Sequence, residues 1–411
     1  MRICFFNRSY WPDQAATGQL LTELAEDLVG EYGCEVTVVA GRALHAADRG
    51  PGALWPVRRE SRNGVTILRA KGTWFNPRRF SGRAANYVTY FGSALLASGL
   101  VGRPDIVVSL TDPPIVGLAA RRVARRTGAR FVYLCEDIFP EVAALVEDFR
   151  NRAVDRTLDL LNRRLIADAD TVVALGERMK RRLVEEKGAA ADRVDVIHNW
   201  ADCRAIAPAP KDNAFTRAHG LGDRFVLMHS GNIGLSQNLD VLIDAASRLQ
   251  SRERLVFAVV GDGARREALM HAASARGLSN VRFFPYQPKA DLQQSFAAAD
   301  AFLISLKARL EGYIVPSKLY GILAAGRPFV AAIDSSAEAA AIARDHRCGF
   351  VAAPDDPADL ARKIAALYDN PDETRAMGER ARQAAWQFDR RNAVRVYHEL
   401  FVRLGSVARA A

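Results

Sequence analysis

Short β-branched runs and longer amphipathic segments alternate along this chain in two series with one break between them. In the first half MRICFFN, CEVTVVAG, GVTILRA, PDIVVSL, ARFVYLC, DTVVALG and RVDVIHN read as strands. Stretches with apolar residues at helical spacing, such as TGQLLTELAEDLVGEYG and DPPIVGLAARRVARRTG, lie between several of them. Thr17 is the expected N-cap of the first helix and Gly33 its stop. Strands joined by helical crossovers run parallel, and the helices then cover both faces of the sheet. The segment IAPAPKDNAFTRAHGLGDR has no strand pattern and is rich in Pro, Ala, Asp and Gly, so it reads as a linker. The rhythm restarts with RFVLMHSG, RLVFAVVG, NVRFFPY, AFLISL, PFVAAI and GFVAA. The pattern predicts an α/β fold of two doubly wound domains, residues 1–204 and 205–385, with ligands held off the C-terminal ends of strands. A helical tail over 386–411 is expected to pack back across both domains.

Charge narrows the partners. The net charge is +10, with 30 basic and 25 acidic residues in 1–204 and 27 and 22 in 205–411. An excess spread this evenly argues against nucleic acid, which needs a concentrated basic stripe, and leaves phosphate-bearing ligands and acidic lipid surfaces. No apolar run reaches the roughly 18 residues that span a bilayer, and MRICFFNRSYWPDQ reads as a first strand, not as a secretion leader. Cys4, Cys34, Cys135, Cys203 and Cys348 form no CxxC pair, which fits buried thiols in a reducing compartment. The histidines show no zinc spacing. Asp168–Ala169–Asp170 is formally a DxD metal pattern, but it reads as the entry to the TVVALG strand. Arg121, Arg122, Arg125 and Arg126 fall largely on one helical face, either a solvated surface or a site for an acidic partner.

Two segments of the second half carry candidate chemistry. In HSGNIGLSQNLDVLIDAA (229–246) a strand ends in Ser230–Gly231 and a tight turn follows; backbone N–H groups in such a turn make an anion site. The alternative is a plain strand-to-helix connection. In LEGYIVPSKLYGILAAGRPFVAA (310–332), Glu311 and Lys318 flank a helix start. A carboxylate there can accept sugar hydroxyls and an ammonium can offset phosphate charge, or the two can pair at the surface.

These pieces, with the opening NRSYWPDQAATGQLLTELAEDL, the EDIFPE run, VIHNWAD, VVGDGARREAL, VRFFPYQPKADL and AADAFLISL, resemble the retaining GT-B glycosyltransferases called family 4. The resemblance spans nearly the whole chain. It is narrower to the subgroup that makes O-antigen, colanic-acid-type and capsular polysaccharides, N-acetylfucosamine transferases included. It implies two Rossmann-like domains with a cleft between them. Carried over by residue, Gly231 and Asn232 grip the donor diphosphate, and Glu311 and Gly312, with Tyr313 and Ser317 beside them, attend the donor sugar. Gly263 and Tyr286 lie by the base, Thr17 and Gly18 face the phosphates from the first domain, and Asp137 stands with the acceptor-side residues. The common pattern has Arg and Lys where this chain has Asn232 and Gln237, and a second Glu where it has Gly321. Lys318 is the candidate for the missing positive charge.

The implied reaction is transfer with retention from a nucleotide diphosphate sugar, in its uridine form, to a lipid-linked saccharide, with no metal and no cofactor. Glu311, Lys318 and Asp137 are the candidate catalytic residues. A nucleotide-sugar epimerase on the same double fold and a non-catalytic sugar-nucleotide-binding subunit are the alternatives. Residues 61–104 hold Arg62, Arg69, Lys71, Arg78, Arg79, Arg83 and Arg103 and no acidic residue, interleaved with Trp74, Phe75, Phe80, Tyr87, Tyr90 and Phe91. That composition suits contact with an anionic membrane, here the inner face of the cell membrane from the cytoplasm, or else the aromatics belong to the core.

Overall fold

The computed structural model describes residues 1–42, 56–75, 80–146 and 151–410. They form two compact units: most of the chain up to His198, together with the segment from Ala393, makes the first, and Asn199–Asn392 makes the second.

The first unit is built on β1 (Arg2–Phe6), β2 (Glu35–Ala40), β3 (Val57–Arg62), β4 (Val65–Ala70), β5 (Ile106–Ser109), β6 (Arg130–Cys135), β7 (Thr171–Ala174) and β8 (Val194–Val196). Their order is β3-β4-β2-β1-β5-β6-β7-β8, parallel throughout except for β3 against β4. Helices cover both faces, so β1 is apolar on both; Ile3, Cys4, Phe5 and Phe6 are all buried. Strand β3 is the one that hydrophobic patterning misses. Its sequence is VRRESR, and it pairs only at the sheet edge, where charged side chains reach water. It turns into β4 through Asn63 and Gly64, both at positive φ (44° and 80°), the two-residue turn that suits a hairpin.

The second unit is built on β9 (Phe225–Ser230), β10 (Leu255–Val260), β11 (Val281–Phe284), β12 (Ala301–Ser305), β13 (Phe329–Ala332) and β14 (Gly349–Ala352). All pairings are parallel, in the order β11-β10-β9-β12-β13-β14. One buried cluster, including Leu227, Phe257, Leu303, Val330, Leu360 and Ile364, joins this sheet to its helices.

In each unit the first strand lies mid-sheet with the chain continuing to both sides. β1 sits between β2 and β5, and β9 between β10 and β12. The loops leaving the C-terminal ends of such a strand and its neighbours diverge, and the gap between them is where ligands of these folds bind.

Several expectations are corrected. The first helix is Ala16–Gly30 with Ala15 as N-cap, so Thr17 lies in its first turn and caps nothing. Gly33 does close it, at φ 62°, with the N–H groups of Gly33 and Cys34 returning to the Val29 and Leu28 carbonyls. The expected linker holds a short helix, Ala214–Ala218, capped by Asn213, and Lys211 pairs with Asp300, so this stretch is part of the second unit. The break falls after His198, not after Arg204, because Ala201 pairs with Asp389 and the Cys203 N–H donates to Asp389 Oδ2 at 3.2 Å. The last helix, Arg390–Ala410, joins the first unit from Ala393. There Phe401 packs edge-on to Phe5 with centroids 6.3 Å apart, and His398 stacks on Tyr32.

Candidate functional site

The loops at the C-terminal ends of β9, β10 and β12 assemble a compact polar group in the second unit. Gly231 follows β9 and Gly261 follows β10. A β-carbon on Gly261, which sits at φ 135°, would lie 2.0 Å from the Gly231 carbonyl oxygen; one on Gly263 would lie 2.4 Å from the Ile233 carbonyl. Only glycine permits this approach. The two turns are locked by bonds from Gly231 N–H to the Val260 carbonyl (3.0 Å) and from Ile233 N–H to the Asp262 carbonyl (2.8 Å). After this turn comes a single 3-10 turn, Leu235–Gln237, and the α-helix begins only at Asp240.

Lys318 enters this group from the helix Lys318–Ala324, anchored by the buried Leu319 and Tyr320. Its ammonium donates to Gln237 Oε1 at 2.8 Å and stands 3.4 Å from Nε2 of the fully buried His229. It also lies 3.8 Å from where a Gly231 β-carbon would be. Among the described residues no carboxylate pairs with it. Burial therefore holds the Lys318 amine down to about 7. His229 is held well below its ordinary value, first by burial and then by the Lys318 charge, so it is neutral. A cation removed from water with only neutral neighbours is costly, and an anion arriving beside it removes that cost.

Glu311 and Gly312 lie on the loop from β12 to this helix. Leu310, fully buried, anchors it, and the N–H groups of Tyr313 and Ile314 return to the Leu310 carbonyl at 3.1 and 3.4 Å. Gly312 is at φ 77° and Glu311 bridges to Ile314. Ser317 precedes the helix without capping it through its side chain. Thus Gly231, Asn232, Gln237, Gly263 and Lys318 are brought together, and the loop carrying Glu311, Gly312 and Tyr313 leads into Lys318. Tyr286 follows the edge strand β11 and is 36% exposed.

The remaining candidates belong to the first unit. Gly18 is buried, and a β-carbon there would press within 3.2–3.3 Å of Ser9 and Tyr10, so its part is to let the helix start close on the loop after β1. Thr17 precedes it in the same turn. Asp137 follows β6, beside the loop after β5. Burial and the charge of Asp112 push its carboxyl up to about 7. Sequence reasoning missed Asp112, Arg8 and His229. The first two are separated along the chain by 104 residues, and His229 is masked by the apolar run around it.

Other motifs are structural. Asp168 pairs with Arg121, Arg125 and Arg164, and Asp170 accepts from Arg130 and from the Phe131 N–H, so the DxD pair is occupied by guanidinium and backbone groups. Arg126 donates to the Ser98 and Val101 carbonyls. Among the described residues no three His, Cys, Asp or Glu side chains are grouped to hold a metal, and no helix is long and apolar enough to cross a membrane. In 61–104, Arg62 pairs with Glu26 and covers the Trp11 ring, Arg69 pairs with Glu60, and Tyr90 is core. Trp74 and Phe75 are each 54% exposed. Arg78 and Arg79 lie outside the described residues.

Residues 16–200 match the family described as Glycosyl transferase 4-like domain, and residues 212–384 the one described as Glycosyl transferases group 1. A relative named as a probable glycosyltransferase, WbjE of Pseudomonas aeruginosa, is 29% identical over 264 residues, 64% of this chain and 66% of its own length. One named for colanic acid biosynthesis, the glycosyl transferase WcaI of Escherichia coli (strain K12), is 27% identical over 342 residues, 79% of this chain and 82% of its own. The crystal structure of Anabaena HepE in complex with UDP is similar with a TM-score of 0.75 at 17% identity, over 98% of this chain and 100% of that one. At that identity the likeness speaks for the fold alone.

Proposed function

We propose a reaction for a chain that belongs, through both of its halves, to the glycosyltransferases of group 1 and the 4-like type, and that has their GT-B fold. It transfers a sugar, with retention, from a uridine diphosphate sugar to a lipid-linked saccharide in the assembly of a cell-surface polysaccharide. The observation that carries this reading is Lys318, a part-buried ammonium with no carboxylate partner among the described residues, set beside the Gly231 turn where the strand order of the second sheet divides.

The diphosphate of the donor lies against the Gly231–Asn232 turn and Lys318, and Glu311 accepts hydroxyls of the sugar. As the bond from the anomeric carbon to the diphosphate oxygen breaks, negative charge grows on the leaving oxygen, and the fixed ammonium and backbone N–H groups stabilise it without a metal. The acceptor oxygen bonds to the anomeric carbon on the same face, and its proton passes to the departing phosphate. Support for the uridine donor comes from the UDP complex of HepE, and support for polysaccharide assembly from the naming of WcaI. Membrane contact is supported by the exposed Trp74 and Phe75 on a segment without acidic residues.

The test is a thermal-shift screen of nucleotide sugars, followed by assay of free UDP release on adding lipid-linked saccharides. A donor at a hundred times its Kd stabilises by about 2.7 kcal/mol through mass action. A rise in melting temperature with UDP sugars and acceptor-dependent UDP release are expected. Epimerised donor without acceptor would overturn the reading in favour of an epimerase, and binding without turnover over a broad acceptor panel would favour a non-catalytic subunit.

A further inference from the structure

A histidine stands in the middle of the second sheet, where the strand pattern is otherwise apolar. Strand β9 lies between β10 and β12, and Val226, Leu227 and Met228 along it are all buried. His229, in register with Val259 of β10, is fully buried as well. A polar ring taken out of water lowers stability unless its nitrogens find partners. It finds one 89 positions along the chain: Lys318 Nζ stands 3.4 Å from Nε2. The Asn232 carbonyl, in the turn after β9, lies 3.4 Å from the same nitrogen.

A ring nitrogen of neutral histidine is a donor or an acceptor, not both. With a proton on Nε2 the ring serves the Asn232 carbonyl and turns an N–H toward the ammonium. With a lone pair there it accepts from the ammonium, and the ring proton sits on Nδ1. Beside a buried cation the second arrangement is the favoured one. The ammonium itself has three N–H donors and no acceptor. Gln237 Oε1, on the 3-10 turn Leu235–Gln237, takes one at 2.8 Å, and His229 Nε2 takes another at 3.4 Å. Both acceptors are neutral, so they fix the direction of the ammonium and leave its charge uncancelled. Toward Gly231 no side chain meets it, because a β-carbon at that position would stand 3.8 Å from Nζ and glycine has none.

We propose that His229 and Gln237 are positioning residues of the donor site: two neutral acceptors, from β9 and from the turn after it, that hold two N–H groups of Lys318 and leave the third for the diphosphate. This rests on the reading above that Lys318 meets the donor diphosphate. It also gives a reason for the neutral amide at 237. A second ammonium at that position would repel Lys318, whereas the amide oxygen holds it.

The experiment is a double-mutant cycle on the full chain with UDP as the probe. His229→Leu removes the acceptor and keeps an apolar volume, and His229→Gln offers an amide oxygen in place of Nε2. UDP affinity should fall roughly tenfold in His229→Leu, the scale of one hydrogen bond to a charged group. It should recover in large part in His229→Gln, and His229→Leu added to Lys318→Ala should cause no further loss. Affinity unchanged in His229→Leu, or a loss that His229→Gln shares and that persists without Lys318, would overturn the proposal. Should His229→Leu not fold, Gln237→Met takes its place in the same cycle with the same expected coupling. A second readout needs no ligand. Lysine side chains are labelled and followed by NMR against pH, and the signal missing in Lys318→Ala should titrate at lower pH in His229→Leu than in the wild type, with His229→Gln restoring it. If the wild type binds no UDP, the function reading has failed while this lysine signal still decides the contact: no movement in His229→Leu overturns it.

Discussion

The carbonyl oxygen of Gly231 lies 2.0 Å from the point that a β-carbon on Gly261 would occupy, so the turns after β9 and β10 meet backbone to backbone. Gly261→Ala must push these turns apart, and at φ 135° the new side chain is strained as well. The variant should lose at least tenfold in UDP affinity and melt lower than wild type. Gly277→Ala, at φ 63° with nothing within 4 Å, should cost only about 1 kcal/mol and leave UDP affinity intact. Calorimetry of both variants with UDP checks this; equal affinities would show that the Gly231 turn does not contact the nucleotide.

Lys318→Ala should slow turnover by roughly a hundredfold, the scale for losing one charged donor to the leaving group. The pH dependence has a definite sign. Burial lowers the Lys318 amine to about 7 in the free protein, and a bound diphosphate favours its charged form. Binding therefore takes up a proton, and UDP affinity should fall as pH rises through 7. Calorimetry in buffers of different ionisation enthalpy measures the uptake. Affinity unchanged from pH 6 to 9 would remove Lys318 from the contact.

Glu311→Ala should weaken discrimination between UDP sugars and leave UDP itself bound nearly as before, because in the proposed reaction this carboxylate accepts sugar hydroxyls while Lys318 and the Gly231 turn hold the diphosphate. Competition binding with several UDP sugars gives the answer, and a loss shared equally with UDP would mean that Glu311 serves the fold.

Transfer should survive excess EDTA. The expectation comes from the GT-B reaction, in which fixed donors stabilise the leaving group. Complete loss restored by manganese or magnesium would refute both the mechanism and the assignment of Lys318.

The protein should sediment with anionic liposomes at low salt and dissociate as salt rises. Each basic residue reaching the headgroups adds about 1 kcal/mol. Replacing Trp74 and Phe75 with Ser, or Arg78, Arg79 and Arg83 with Ser, should lower sedimentation while sparing UDP binding. Arg62 and Arg69 are engaged within the first unit, so changing them should cost stability instead. A wild type that ignores such liposomes rules this segment out.

The double α/β rhythm was legible because parallel strands buried on both faces are near-continuous apolar runs. Strand β3 escaped that signal, since an edge strand of VRRESR has no apolar face to show, although Asn63–Gly64 marks its turn. Thr17 was misplaced as a cap because helix starts are set by backbone geometry that Ala15 can supply. Within the site, Gly231, Gln237 and Lys318 could be named from their motifs. The 2.8 Å contact between Gln237 and Lys318 could not, because the two stand 81 positions apart with strands and helices folded between them. The same holds for Arg8 and Asp112, whose pairing follows only from β1 lying next to β5.

The return of the last helix to the first unit sets an order in time. A ribosome releases β1 first and residues 393–411 only after the whole second unit has been made. Until then Phe5 has no Phe401 against it, and Tyr32 no His398. The half that is synthesised first is thus the half that is finished last, and nascent chains stopped short of residue 393 should carry a completed second unit beside a first unit still open to proteolysis.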